Sequence, residues 1–117
     1  MHTFYVYILA NKRHGMLYSG FTNSLIRSVY EHRKGLLSGY TKKHSIKKLV
    51  YYKKFDDFEQ AINCGLLIKE MGKDDKIDFV EQFNPEWNDK YYDIGGDDEY
   101  EFYDKEINKY RKELAYT

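Results

Sequence analysis

Two tyrosines, an arginine and a histidine near the start of the chain are the side chains best suited to chemistry. Tyr7 and Tyr18 lie eleven residues apart, and Arg27 and His32 follow five residues apart from each other. Hydroxyl and imidazole groups exchange protons, and a guanidinium carries a fixed positive charge. Such groups could serve acid–base chemistry if the fold brings them together.

The two tyrosines fall on two short segments that are rich in β-branched and aromatic residues. The segments cover residues 1–10 and 16–21, and the five residues between them include the turn formers Asn11 and Gly15. This pattern predicts a β-hairpin. Strand alternation would let both tyrosine hydroxyls reach the same face, although the sequence leaves the register of the hairpin open.

The arginine and the histidine fall on the helix that we predict next, over residues 24–34. Thr22 or Asn23 would cap this helix. The pattern of the remaining chain predicts a loop over 36–44, a strand over 48–55, a helix from Asp56 or Asp57 to Met71, a helix over 74–83 and a helix over 99–114. We therefore expect an α+β domain in which a three-stranded antiparallel sheet is flanked by helices, with a further C-terminal helix.

Five segments, in this order, resemble the GIY-YIG nuclease family. They are the hairpin with Tyr5-Val6-Tyr7 and Tyr18-Ser19-Gly20, Leu25-Ile26-Arg27 with Tyr30-Glu31-His32, Gly39-Tyr40-Thr41-Lys42-Lys43, Leu49-Val50-Tyr51-Tyr52, and Asn84-Pro85-Glu86-Trp87. The similarity covers residues 3–91 and is greatest to the small single-domain members of the UPF0213 type. It implies the GIY-YIG fold and the cleavage of phosphodiester bonds.

The resemblance also implies roles for particular positions. Tyr7 and Tyr18 match the two tyrosines of the family, one of which activates water beside a basic group, and His32 matches a common histidine on the following helix. An arginine would neutralise the charge on the scissile phosphate, and a glutamate would hold one divalent metal ion, Mg²⁺ or Mn²⁺.

The arginine position departs from the family. Members carry two basic residues after Leu-Ile, and the second one is the catalytic arginine. Here the pair is Arg27-Ser28. Arg27 remains a candidate, but a shift of one residue turns a helical side chain by about 100°.

The glutamate position departs as well. In the family the glutamate follows Ala-Ile after two further residues, and here this place belongs to Gly65. Glycine has no side-chain oxygen for a hard cation. We therefore expect no metal site and no cofactor in the natural protein, and Mg²⁺ or Mn²⁺ only if the protein is active.

The net charge of zero hides a strong segregation of charge. Residues 1–54 carry eleven Lys and Arg against one acid, and residues 55–117 carry eight against eighteen acids. A basic half attracts a phosphate backbone. The predicted nucleic-acid contacts are Arg33, Lys34, Lys42, Lys43, His44, Lys47 and Lys48. Asn84, retained from the family, is a further candidate, although an asparagine before Pro85 also serves as a helix stop.

Residues 93–117 differ in character from residues 1–92 and form a predicted second unit. A flexible acidic link over 94–98 precedes a tyrosine-rich helical pattern. This acidic region could bind a protein partner or mask the basic half of the chain.

Three functions stay open at this point. The first is an inactive or strongly impaired nuclease homologue that acts by binding nucleic acid or protein. The second is an active metal-dependent DNA endonuclease with relocated catalytic residues. The third is a regulatory or structural protein-interaction module.

Composition points to a cytoplasmic protein. The single cysteine, Cys64, excludes an intramolecular disulfide and suits a reducing compartment. No run approaches the ~18 apolar residues of a membrane span, and the N-terminus lacks a signal-peptide pattern, so we expect no membrane association.

Overall fold

The computed structural model describes residues 2–37 and 39–97. Their elements are β1 (Phe4–Ala10), β2 (Leu17–Thr22), α1 (Leu25–Arg33), α2 (Tyr40–Lys43), β3 (Lys48–Phe55), α3 (Phe58–Glu70) and α4 (Lys73–Phe83). The strands form one antiparallel sheet with the order β2-β1-β3. The predicted α+β class is confirmed, and the predicted helix over 99–114 lies outside the described residues.

The hairpin of β1 and β2 sets the register on which the site depends. The Asn11 side chain accepts a hydrogen bond from the Met16 N–H at 2.8 Å and so closes the turn. Tyr7 then lies opposite Gly20, and Tyr18 lies opposite Leu9. Both tyrosines consequently point to the same face of the sheet, as strand alternation allows.

Each face of the sheet buries its own core. The face that carries α3 and α4 buries Val6, Ile8, Ala10, Val50, Tyr51, Ile68, Val80 and Trp87. The opposite face, which carries α1, buries Tyr7, Leu9, Leu25, Val29, Tyr30, Ile46, Leu49 and Tyr91. Since each large apolar side chain gains about 1.5–3 kcal/mol on full burial, these two layers hold the helices on the sheet.

Two predictions about the first helix and the loop after it were wrong in detail. Helix α1 begins after Ser24, and the Thr22 hydroxyl accepts a hydrogen bond from the Ser24 N–H at 3.0 Å instead of capping the helix. The predicted loop over 36–44 contains the single helical turn α2, which Gly39 precedes with a φ of 103°. Burial of Thr41 against α1 stabilises this turn, which four residues of sequence do not specify.

Helix α3 buries only a narrow face against the sheet. The predicted cap is confirmed, because the Asp57 side chain accepts a hydrogen bond from the Glu59 N–H. Ala61 and Ile68 are buried, whereas Phe58 and Leu66, predicted as apolar members of this helix, are each 52% exposed.

The hairpin turn is tied to α4. The His14 imidazole and the Glu81 carboxylate form a hydrogen-bonded pair between them. The same carboxylate accepts a hydrogen bond from the Trp87 Nε1–H at 3.1 Å. These contacts fix the end of the sheet at which β2 begins.

The stretch after α4 returns along β3 to reach α1. The Lys90 N–H donates to the Leu49 carbonyl, and the Leu49 N–H donates to the Asp89 carboxylate. The same carboxylate pairs with Arg33 at 2.6 Å. Of the predicted flexible link over 94–98, residues 94 and 95 belong to a turn over 91–95, and Ile94 packs into the α1 core.

Within the described part of the chain, no helix has the length and apolar character needed to cross a membrane. The predicted division at residue 92 stays a prediction.

Candidate functional site

A chain of hydrogen bonds links the hairpin to both α1 and α2. The Tyr7 hydroxyl and His32 Nε2 share a hydrogen bond of 3.3 Å. His32 Nδ1 and the Thr41 hydroxyl share a second one of 2.8 Å. All three residues are buried, with exposures of 4% or less. A neutral imidazole can donate from one nitrogen and accept at the other, so the chain is fully satisfied.

Tyr18 completes the cluster on its accessible side. Its ring centroid lies 5.1 Å from that of His32 and 6.4 Å from that of Tyr7. The structure thus brings together three of the side chains that the sequence nominated. Tyr18 is only half-buried and is the member of the three that a ligand can reach most easily.

Gly20 makes room for the Tyr7 hydroxyl. A Cβ atom at Gly20 would lie 2.5 Å from that oxygen and 2.4 Å from the ring carbon that carries it. Only glycine therefore fits at this position of β2. The sequence marked Gly20 as part of the second tripeptide without indicating this reason.

Burial controls the protonation of the site. Burial away from water is the main cause that raises the pKa of Tyr7 well above its ordinary value. The nearby Tyr18 and Glu31 raise it further through electrostatic repulsion. Burial lowers the pKa of His32, against the opposing effect of Glu31. At neutral pH the site therefore holds a protonated phenol and a neutral imidazole, and a Tyr7 phenolate is disfavoured as a base.

Ser28 offers no charge at the position of the family arginine. Its hydroxyl forms a hydrogen bond of 2.6 Å with the Thr22 hydroxyl and so joins α1 to the end of β2. The Arg27 guanidinium lies 3.6 Å from Glu31 and lines a separate groove beside Tyr5. The structure thus directs Arg27 toward this groove, so its predicted catalytic role gains no support from its position.

Gly65 stands beside a cleft of about 140 Å³ between β2 and α3. The cleft is lined by Ser19, Gly20, Phe21, Ile62, Gly65, Leu66 and Lys69. A Cβ at Gly65 would meet only Val6, at an ordinary 3.8 Å. The space for a longer side chain is present, but the oxygen ligand is not.

The donor set does not fit a divalent metal ion. The cleft at Gly65 offers Lys69 in place of a carboxylate. No group of three or more histidine, cysteine or acidic side chains comes together among residues 2–37 and 39–97. Mg²⁺ requires several oxygen ligands in near-octahedral geometry, so no reaction step through a metal follows from these residues.

Most of the predicted nucleic-acid contacts surround α2. Lys42 and Lys43 are exposed on the same turn as the buried Thr41. Lys34, Lys47 and Lys48 are also exposed, and His44 packs its ring against that of Tyr40 at 4.8 Å. The basic set thus lies next to the residues that hold His32.

Two residues of that set make extensive contacts within the fold. The Arg33 guanidinium pairs with Asp89, donates to the Tyr92 hydroxyl and stacks 4.5 Å from the ring centroid of Tyr91. Asn84 is 2% exposed, and its amide nitrogen donates to the carbonyls of Val50 and Asn88. Burial removes Asn84 from reach of a phosphate, so its role as a helix stop is the one that fits.

Sequence reasoning missed two contributors to the site. Thr41 was missed because residues 36–44 were predicted to be a loop. The resemblance of the segment around it to the family was the only indication that this stretch matters. Glu31 is partly buried and acts electrostatically on both Tyr7 and His32. Its position one residue before His32 gave no separate indication of that effect.

The chain is similar in sequence to a known protein domain and to several known proteins. The GIY-YIG catalytic domain matches residues 3–78. A UPF0213 protein of Pediococcus pentosaceus is 33% identical over 79 residues, which cover 68% of this chain and 82% of that protein. A UPF0213 protein of Clostridium perfringens is 33% identical over 76 residues, which cover 65% and 81%.

A solution NMR structure of a UPF0213 protein from Bacillus halodurans is also similar. It shares 25% identity and a TM-score of 0.49, and it covers 75% of this chain and 93% of its own. The domain match and the two sequence relatives confirm the resemblance noted above: the chain belongs to the GIY-YIG family and, within it, to the UPF0213 proteins.

Proposed function

We propose that this protein uses the GIY-YIG fold to bind nucleic acid and that it is inactive, or strongly impaired, as a nuclease. The observation that carries the proposal is that neither of the two positions that are charged in the family carries a charge here. Ser28 holds a hydroxyl that is bonded to Thr22, and Gly65 holds no side chain. The neutral part of the site, with Tyr7, Tyr18 and His32, is retained.

The energetic argument concerns the transition state of phosphodiester cleavage. Loss of one preorganised polar or charged group from such a site costs about 10²–10³ in rate. Loss of the metal ligand removes a second contribution of that kind. A protonated Tyr7 beside a neutral His32 supplies no fixed positive charge in place of the missing arginine.

Support for binding comes from the exposed cations on and beside α2. Lysines at a surface neutralise phosphates and release counterions, so they bind nucleic acid without reading its sequence. Lys42 and Lys43 occupy the turn that Thr41 fixes to His32. A phosphate backbone on this turn would run beside the tyrosine cluster.

Cleavage of supercoiled plasmid in Mg²⁺ or Mn²⁺ tests the proposed loss of activity. We expect the natural protein to leave the plasmid intact and the Ser28→Arg/Gly65→Glu double variant to nick it. The cleft beside Gly65 has room for the added side chain. Each single variant serves as a control, because it restores only one of the two charges.

Cleavage by the natural protein under the same conditions would overturn the proposal. An inactive double variant that folds as judged by circular dichroism would reject Ser28 and Gly65 as the sufficient cause of the lost activity, since the retained residues would then not form a usable site.

Binding is tested by gel shift of a DNA duplex over a range of salt concentrations. Replacing Lys42 and Lys43 by Gln should lower the salt slope by up to about 2, since each lost phosphate contact lowers it by about 1. Lys53→Gln/Lys69→Gln is the matched control, because both lysines are exposed on the side that carries α3. A weak salt dependence in the natural protein would instead favour a protein partner.

One observation favours residual activity as a second candidate function. Glu31 is an acid that acts electrostatically on both Tyr7 and His32, and its side chain is 12% exposed. If the natural protein nicks DNA slowly, Glu31→Gln should abolish that activity. An unchanged rate in Glu31→Gln would exclude Glu31 as a relocated catalytic acid.

A further inference from the structure

A groove of about 450 Å³ runs between the start of α1 and the sheet, next to the tyrosine cluster. It is lined by Tyr5, Asn23, Ser24, Leu25, Ile26, Arg27, Tyr52, Lys54 and Ile94. Its walls combine aromatic and aliphatic surface with two cations. Arg27 already faces Glu31, whereas Lys54 forms no ion pair within the described part of the chain. The groove is therefore suited to an acidic segment that carries aromatic side chains.

The described chain ends at this groove. Ile94 is part of its wall, and Gly95 lies against Ile26, where an added Cβ would be 3.8 Å from the isoleucine Cδ1. The Tyr91 hydroxyl then donates to the Asp97 carbonyl at 3.2 Å. Residues 98–117 are thus tethered where they can enter the groove at high effective concentration.

The chemistry of that segment is complementary to the groove. Its first half contains the acids Asp98, Glu99, Glu101, Asp104 and Glu106 and the aromatic residues Tyr100, Phe102 and Tyr103. Ile94, three residues before Asp97, shares the groove wall with Lys54, and an extended chain gains about 3.3 Å per residue.

We infer that the acidic, aromatic segment 98–106 of this same chain docks into the groove and pairs with Lys54 and Arg27. The docked segment places negative charge beside α1, where it repels a phosphate backbone. A regulatory effect of the docked segment rests on the proposed nucleic-acid binding, whereas the docking itself does not.

Carbodiimide cross-linking of the full chain, followed by mass spectrometry, tests the docking in the absence of nucleic acid. This reagent joins an amine to a carboxylate only where the two form a pair. Lys53 is the internal control, because it is adjacent in sequence, also exposed, and on the opposite face of β3. We expect cross-links from Lys54 to residues 98–106 in several-fold excess over those from Lys53, and we expect high salt to reduce them.

A mixture of isotope-labelled and unlabelled chains distinguishes the occupants of the groove. Cross-links within one chain support the inference. Cross-links that join a labelled to an unlabelled chain would overturn it in favour of a second copy. Equal yields from Lys53 and Lys54, or no cross-link from Lys54, would also overturn it.

Gel shifts then separate the docking from its effect. If the docked segment competes with nucleic acid, the full chain with Glu99→Gln and Glu101→Gln should bind DNA several-fold more tightly. Cross-linking without such a gain would preserve the docking and reject only its competition with nucleic acid.

Discussion

At the scale of single residues, the position of the Tyr7 hydroxyl depends on a missing side chain as well as on hydrogen bonds. Gly20 has no Cβ, so the Tyr7 ring and hydroxyl fit against β2. His32 then holds it at 3.3 Å, and Thr41 orients the imidazole. The site is therefore a packed arrangement in which a change of one methyl group has consequences.

Gly20→Ala should destabilise the protein by about 1–3 kcal/mol, because the added methyl forces the buried Tyr7 ring to move. Urea unfolding followed by circular dichroism measures the change. Ser19→Ala is the control, because this neighbour lies on the opposite side of β2 and is half-buried. Equal stability of Gly20→Ala and the natural protein would show that Tyr7 is not held as tightly as described.

The lowered pKa of His32 predicts a dependence of stability on pH. The unfolded chain takes up a proton near the ordinary histidine pKa of about 6.5, whereas folded His32 does so only at lower pH. Stability is therefore complete above this range and falls as the pH drops through it. We expect the urea midpoint to decrease on acidification and expect His32→Gln to weaken that decrease.

His2→Gln is the control for this pH experiment, because His2 is exposed. If both variants weakened the pH dependence of the urea midpoint equally, burial of His32 would not be the cause of that dependence.

Site residues could be predicted from the sequence where their roles follow from a local pattern, and not where their roles depend on contacts between distant parts of the chain. Tyr7, Tyr18 and His32 follow from a local pattern and the family resemblance. Thr41 acquires its role through a hydrogen bond to a residue nine positions earlier, and Arg33 through a partner 56 positions later. Contacts of this kind depend on the packed fold, which one sequence does not reveal residue by residue.

At the scale of elements, α3 packs on the sheet with a glycine in its interior. A Cβ added at Gly65 would lie 3.8 Å from the Val6 side chain, and helix interiors favour alanine over glycine. The close packing of this helix does not require glycine, since an added Cβ would find an ordinary contact. Its presence has a cost in stability and leaves the cleft beside β2 open.

Gly65→Ala should therefore stabilise the protein by up to about 1 kcal/mol. A shift of the urea midpoint to higher concentration, with an unchanged slope, is the expected result. Leu67→Ala, at an exposed position of the same helix, should change stability much less. A destabilised Gly65→Ala variant would indicate that α3 lies closer to the sheet than described.

Element boundaries were predictable where a strong pattern and a clear stop coincide. Strand β3 and the Asp57 cap of α3 match the prediction, since aromatic and β-branched residues and a capping aspartate act locally. Helix α2 was missed because a single turn has too few residues for periodicity. The exposure of Leu66 was missed because apolar character does not by itself establish burial.

At the scale of the whole molecule, one ion pair connects the chain's return path to its first helix. Asp89 accepts from the Leu49 N–H, pairs with Arg33 and also accepts from the Tyr91 N–H. Both charged side chains are about four-fifths buried, with exposures of 18% and 22%. This set of contacts holds β3, α1 and the stretch after α4 together.

Arg33→Gln should destabilise the protein by about 1–3 kcal/mol, because it leaves the Asp89 carboxylate without its charged partner and removes the stacking on Tyr91. Lys34→Gln, at the exposed neighbour, should change stability by less than about 0.5 kcal/mol. Thermal and urea unfolding measure both effects.

The double variant Arg33→Gln/Asp89→Asn should lose less stability than the sum of its two single variants. Simple additivity would show that the pair is not coupled. A loss of DNA affinity in Arg33→Gln without loss of stability would support the predicted nucleic-acid contact by Arg33.

The only tryptophan of the chain, Trp87, lies where the hairpin turn, α4 and the return stretch meet. It is 3% exposed, its indole donates to Glu81, and its ring centroid lies 5.5 Å from that of His14. Indole emission is sensitive to water and to neighbouring groups, so the protein carries an intrinsic optical reporter at this junction. Opening of the hairpin end can therefore be followed by emission without attaching a label to the molecule.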